Sequence, residues 1–125
     1  MNKSVLIVDD NQIDRLVAKK KLEMSGEFSD IQFAVNGQEA FDLLDDISKE
    51  VPDYILLDIN MPVMDGWEFL SLFEGFELFG KQPKVVMLSS SIDSADTDRA
   101  QNSPFVSNFI SKPFSAQKVE MLLAS

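Results

Sequence analysis

Five residues whose types could do chemistry together stand just after short apolar runs. Asp9 and Asp10 follow the run at 5–8, Asp58 the run at 54–57, Ser89 the run at 85–88, and Lys112 the run at 108–111. If the runs are parallel strands of one sheet, these side chains meet at one edge. Three crowded carboxylates repel, and at least one is then pushed toward its neutral form. A hard divalent cation taking oxygens from two of them would relieve the crowding, and the Lys112 ammonium would offset the remainder. Magnesium suits this role, because it binds through one or two carboxylates, several waters and a phosphate oxygen. A carboxylate is also a known nucleophile for phosphoryl transfer through an aspartyl-phosphate. That reaction asks mainly for stabilisation of three equatorial oxygens. The cation would hold one, Lys112 another, and the Ser89 hydroxyl or backbone N–H groups the third.

Each feature alone has a purely structural reading. An Asp-Asp pair after a strand often caps a helix, and an Asp at a strand end is commonly a turn residue. By the same measure Ser89, Ser90 and Ser91 make a solvated loop, and Lys112-Pro113 a surface break. What favours chemistry is that all of them occur in order, each directly after an apolar run.

The elements that must position these groups alternate in type. The runs at 5–8, 54–57, 85–88 and 108–111 read as strands, and the alternation of Ile31, Phe33 and Val35 suggests another. Residues 12–24 read as a helix with Ile13, Leu16, Val17 and Met24 on one stripe, which Lys20 interrupts; Gly26 is its stop. Asn36-Gly37 marks a turn, and Ala40, Phe41, Leu44 and Ile47 repeat the helical spacing over 38–48, closed by Pro52. Met61-Pro62 and Asp65-Gly66 punctuate a loop before a helical stretch at 67–79, with Gly75 and Gly80 as breaks. The segment 94–102 is a polar helix candidate, and 116–124 is the last helix. Strands alternating with helices imply right-handed crossovers and a mostly parallel sheet covered on both faces. In such sheets ligands bind at the carboxyl ends of strands where strand order reverses.

Composition narrows the function. The 125 residues suit one compact domain, 1–125, with no internal repeat or linker. The net charge of -10 would repel nucleic-acid phosphates, so no nucleic-acid partner is expected. The first apolar run ends at Asp9, too soon for a signal peptide or a membrane span. With no cysteine to form a disulfide, the chain is expected to be cytoplasmic. It also has no histidine, so any histidine chemistry must come from a partner.

Together these stretches resemble the receiver domain of two-component response regulators. The likeness rests on Val5-Leu6-Ile7-Val8-Asp9-Asp10-Asn11, Asn36-Gly37-Gln38-Glu39-Ala40, Leu57-Asp58-Ile59-Asn60-Met61-Pro62 with Asp65-Gly66, Val86-Met87-Leu88-Ser89, and Lys112-Pro113-Phe114. The nearest type is the stand-alone, chemotaxis-like receiver without an output domain. The resemblance implies a doubly wound, flavodoxin-like (βα)5 fold with five parallel strands in the order 2-1-3-4-5. It implies that Asp58 accepts a phosphoryl group from a histidine kinase or a histidine phosphotransfer protein. It makes Asp10 a direct Mg2+ ligand, Asp9 a ligand through water, and the backbone carbonyl of Asn60 a further ligand beside Asp58. Lys112 would pair with the phosphoryl group, and Ser89 would be the switch hydroxyl. Phe109 falls where the family places a rotating aromatic; a plain core phenylalanine is the alternative. Phosphorylation would then change the surface of the fourth helix, fifth strand and last helix, and with it the binding of a downstream protein.

The sequence departs from the family at that surface. Phe105-Val106 after Pro104 replaces the common small pair, and the fourth helix region carries Asp93, Asp96 and Asp98. Phe73, Phe76 and Phe79 read as core and helix packing. Three rival readings are open to test. A haloacid-dehalogenase-type phosphatase needs a second aspartate two positions after its nucleophile, where this chain has Asn60, which cannot transfer a proton. A flavodoxin-type carrier needs N–H donors for phosphate in its first loop, where Asp9-Asp10 would repel it. A pseudo-receiver would keep the fold without accepting phosphate.

Overall fold

The computed structural model describes residues 3–46, 51–61, 64–73, 83–90 and 94–125. Five strands alternate with five helices: β1 (Lys3–Val8), α1 (Gln12–Ser25), β2 (Phe28–Ala34), α2 (Gly37–Asp45), β3 (Tyr54–Asp58), α3 (Gly66–Phe73), β4 (Lys84–Ser89), α4 (Ser94–Gln101), β5 (Val106–Ser111) and α5 (Ala116–Leu123). The strands form one parallel sheet in the order β2-β1-β3-β4-β5. This is the doubly wound order expected from the resemblance.

Why the central strands are apolar throughout follows from the two layers of helix. Side chains alternate across a strand with a period of two. Leu6, Val8, Ile55, Leu57, Val85 and Met87 therefore pack on one face, with Ala40 of α2, Phe69 and Leu70 of α3 and Ala100 of α4. Val5, Ile7, Leu56, Val86 and Leu88 pack on the other, with Ala18 and Leu22 of α1 and Val119 and Leu122 of α5. A strand buried on both faces has no position left for a polar residue until it ends.

Local chemistry sets the helix ends. The Asn11 side chain accepts the Asp14 N–H at the start of α1, and the Asn36 side chain accepts the Glu39 N–H at the start of α2. Gly26 ends α1 with φ of 74°, a conformation that glycine adopts without steric cost.

Two expectations are corrected. The stripe of Ile13, Leu16, Val17 and Met24 does not face the core: Ile13 is 72% exposed, Leu16 52% and Met24 68%. Ala18 and Leu22 are buried instead. Small Ala18 lets the helix lie close to the sheet, while Arg15 and Lys19 stretch over the Phe33 ring, 6.0 and 5.9 Å from its centroid. In the second strand, Val35 lies beyond the end and is exposed, whereas Phe28 and Ala34 at its two ends are buried. Helix α2 is described to Asp45 and α3 to Phe73; Ile47, Gly75, Phe76, Phe79 and Gly80 fall outside the described residues, as does the side chain of Phe73.

Candidate metal centre and acidic cleft

Strand order reverses between β1 and β3, and the candidate residues stand at the carboxyl ends of the strands around that point. The ladder continues one residue past several strands. Asp9 N–H donates to the Ala34 carbonyl (3.0 Å), Ile59 N–H to Leu88 (3.1 Å) and Lys112 N–H to Ser89 (2.7 Å). The site backbone is therefore held by the sheet itself and not by free loops. Gly66 brings α3 close against the same edge. Its N–H donates to the Ile59 carbonyl at 2.8 Å, and a Cβ there would stand 2.7 Å from the Asp58 carbonyl oxygen. Only glycine fits that approach.

The structure brings the expected groups together. Carboxylate oxygens of Asp9, Asp10 and Asp58 all lie within 4.8 Å of one another. Asp9 and Asp58 are buried and Asp10 is exposed, so the cluster opens to solvent on one side. Lys112 Nζ stands 2.9 Å from Asp9 Oδ2 and 3.6 Å from Asp58 Oδ2. Ser89 is buried at the end of β4, beside Ser111 on β5. Asn60 is exposed next to the cluster, and its N–H donates to Asp58 Oδ1 at 3.3 Å. Asp9 Oδ1 is oriented by the Asn11 N–H at 2.9 Å, and its carbonyl accepts from Arg15 Nη1 at 2.8 Å.

The charges fit a metal. Burial, and then the charge of Asp9, push the Asp58 carboxyl up to about 7, although Lys112 and the Asn60 N–H pull the other way. Near neutrality a large share of the molecules then holds Asp58 protonated. Three convergent carboxylates, one of them pushed toward its neutral form by burial and by its neighbour's charge, form a donor set that suits a hard oxygen-seeking dication. For Lys112, burial opposes the charge. Hydrogen bonds to Asp14 and Asp9, and the charges of Asp58 and Asp9, outweigh it and raise its pKa, so the ammonium stays charged.

A sequence profile for the response regulator receiver domain matches residues 5–124. The chain belongs to that family. It is 35% identical over 120 residues to the two-component response regulator ORR41 of Oryza sativa subsp. japonica, a match covering 96% of this chain and 91% of that protein. It is 34% identical over 113 residues to the sensor histidine kinase CheAY of Helicobacter pylori, covering 90% of this chain but only 13% of that protein. A two-component response regulator from Cytophaga hutchinsonii superposes with a TM-score of 0.91 at 32% identity, covering 98% of this chain and 95% of the other. Receiver domains of two-component systems serve phosphorylation-dependent signalling, and family membership implies phosphorylation on aspartate. The phosphatase and flavodoxin-type readings are set aside by this membership. No helix among the described residues of the receiver is long and apolar enough to cross a membrane.

Phe109, the expected switch aromatic, sits between two environments. It is partly buried against the core and lines an open groove of about 590 Å³, together with Thr97, Ala100, Lys118 and Met121. The segment that departs from the family is accommodated locally. Phe105 packs against the core, and the register slips by one residue where Val85 pairs with Val106 and Val86 with Asn108.

Sequence reasoning missed several contacts, at the receiver's cleft and beside it. Asp14 Oδ2 accepts from Lys112 Nζ at 2.8 Å. Its only sequence signal is an acid three residues after the capping Asn11. Lys118 Nζ donates to the carbonyls of Ser111 (2.6 Å) and Pro113 (2.9 Å), gripping the chain on both sides of Lys112. Trp67, directly after Gly66, donates its indole N–H to Asp96 at 3.0 Å and lies 4.4 Å under the Arg99 guanidinium. Nothing in the spacing of these residues announces the contacts; those of Asp14 and Trp67 join segments far apart in the chain.

Proposed function

We propose that residues 1–125 work as a phosphorylation-dependent switch in which Asp58 takes a phosphoryl group from a histidine kinase or a histidine phosphotransfer protein, with Mg2+ in the acidic cleft. The observation that supports this most directly is the cluster of Asp9, Asp10 and Asp58 oxygens within 4.8 Å, with Lys112 against it. Asp10 and Asp58 would hold the ion directly, the Asn60 carbonyl would be a further protein ligand, and buried Asp9 would act through water. Bound there, the ion supplies Lewis-acid screening of the phosphoryl charge.

The chain's own groups do the rest. An Asp58 carboxylate oxygen attacks phosphorus in line with the leaving group. The new O–P bond forms as the donor's N–P bond breaks, and the electron pair returns to the imidazole, which takes a proton from solvent. Lys112 offers an ammonium N–H to one equatorial oxygen, and Ser89 offers its hydroxyl to another. This moves Ser89 toward Asp58 and lets Phe109 turn inward, reshaping the groove between α4, β5 and α5. A downstream protein then reads that surface; neither nucleic acid nor membrane insertion is part of the reading. The receiver here is a phosphoacceptor that assists its own transfer and dephosphorylation, acting in the cytoplasm, and not an enzyme with a separate substrate.

The test is intact-mass analysis after incubation with acetyl phosphate and Mg2+. One added phosphoryl group is expected, absent in Asp58→Asn and absent with chelator. No gain with any phosphodonor would instead make the chain a pseudo-receiver.

A further inference from the structure

The Lys112 ammonium has three N–H bonds to place. Asp9 Oδ2 takes one at 2.9 Å, and Asp14 Oδ2 takes another at 2.8 Å. Asp58 Oδ2 stands 3.6 Å away, close enough for attraction but too far for a hydrogen bond. Two anchors thus hold the ammonium beside the phosphoacceptor, which takes no hydrogen bond from it.

Asp14 makes this possible from outside the cation cluster. It lies in the first turn of α1, and its N–H is accepted by Asn11 Oδ1 at 3.1 Å. A carboxylate in a first turn is favoured by the helix dipole whatever it touches. That explains its residue type but not its reach, which extends across 98 positions of the chain to Lys112. A lysine side chain has four rotatable bonds and would otherwise spread over several rotamers. With Asp14 removed, the ammonium can collapse onto Asp58, which needs positive charge.

We propose that Asp14 is a positioning residue: with Asp9 it forms a two-point anchor that keeps one Lys112 N–H aimed at the oxygen arriving on Asp58. This rests on the phosphoacceptor reading for its consequence, but not for the anchor itself. Charge-assisted hydrogen bonds from ammonium to carboxylate are among the stronger ones, and each is directional. Asn in place of Asp14 keeps an acceptor oxygen at the same reach and so keeps part of the aim; Ala keeps none.

Two measurements on the full chain test it. The first is the rate of acetyl phosphate phosphorylation at saturating Mg2+. Asp14→Ala should slow it about tenfold, and Asp14→Asn should stay within about threefold of the unaltered chain. Titration of each variant with Mg2+ fixes the concentration at which the site is saturated. In a Lys112→Ala background, Asp14→Ala should have no further effect, which a merely structural role would not produce. The second measurement is the ¹⁵N signal of the Lys112 ammonium without any phosphodonor. It should be protected from exchange in the unaltered chain and in Asp14→Asn, and lost in Asp14→Ala. An unprotected ammonium, a signal indifferent to Asp14, a rate unchanged or raised in Asp14→Ala, or an equal fall in the Lys112→Ala background would each overturn the proposal. If the unaltered chain takes no phosphoryl group yet shows the Asp14-dependent signal, the phosphoacceptor reading fails while the anchor stands.

Discussion

The acidic cleft and the α4–β5 face belong to the same sheet, yet they are held in opposite ways. At the cleft, ladder hydrogen bonds run past the strand ends to Asp9, Ile59 and Lys112, and the buried Asp9 carboxylate is fixed by the Asn11 N–H and the Lys112 ammonium. At the other face, the β4–β5 register slips beside Val106, helix α4 buries only Ala100, and a groove of about 590 Å³ lies open. A site that must set oxygen positions to fractions of an ångström needs the first kind of construction. A surface that must exist in two arrangements needs the second, because a switch requires alternatives of similar free energy.

Four substitutions probe that contrast, and the largest effect is expected at the centre of the cleft. The folded-state pKa of Asp58 is raised to about 7 from an ordinary value of 3.8. A folded group that binds its proton more tightly than the unfolded one adds stability below its unfolded pKa. That stability is lost as pH rises through the folded value. Without metal, stability should therefore fall between pH ~4 and ~7 with a slope from this group of up to about 1.4 kcal/mol per pH unit. Urea denaturation at a series of pH values should show this fall, Asp58→Asn should flatten it, and Mg2+ should restore stability at the upper end. A slope that survives in Asp58→Asn would mean that the crowding lies elsewhere.

Gly66→Ala comes next. Its Cβ would meet backbone, the Asp58 carbonyl oxygen at 2.7 Å and Ile59 Cα at 2.9 Å, which cannot rotate away. A loss of about 1–3 kcal/mol is expected from such overpacking, with weakened Mg2+ affinity because the displaced backbone carries Asp58. Thermal unfolding and metal titration read the two effects.

At the α4–β5 face the losses should be smaller. Asp96→Ala removes the acceptor of the Trp67 indole N–H and should cost about 1 kcal/mol. Trp67 is the sole tryptophan, so its fluorescence reports the change directly. Phosphorylation at Asp58 should proceed at an unaltered rate in this variant; a slowed rate would show that the two regions are not separable. Smallest of all, Ile13→Ser should shift stability by less than about 0.5 kcal/mol in denaturant titration, because the side chain it replaces already faces water. A loss of core magnitude there would restore the apolar stripe of α1 to the interior.

The sequence was legible wherever one local rule allowed a single outcome. Central strands were readable because burial on both faces leaves no polar position before the end, and this in turn marked Asp9, Asp58 and Ser89; Lys112 follows the edge strand β5, which carries polar residues of its own. Gly26 marked the end of α1 and Asn36-Gly37 the turn before α2, because such signals involve only near neighbours; the capping roles of Asn11 and Asn36 emerged with the structure. Helix α1 was readable as a helix but not in its orientation. Its sequence offers one stripe through Ile13 and Leu16 and another through Ala18 and Leu22, and periodicity ranks them by hydrophobicity alone. Which one turns inward depended on how closely the backbone must approach the sheet, and small Ala18 permitted the nearer contact.

By itself, then, the order of residues determined the alternation of strands and helices, the family, and the set of groups that gather at the sheet edge. Only the tertiary structure decided the contacts made around them: Asp14 across to Lys112, and Trp67 onto Asp96. The reason is physical. Secondary structure and burial follow from periodicities of two and 3.6 residues that a linear sequence displays, whereas a hydrogen bond between distant side chains depends on a meeting that exists only once the chain has closed on itself.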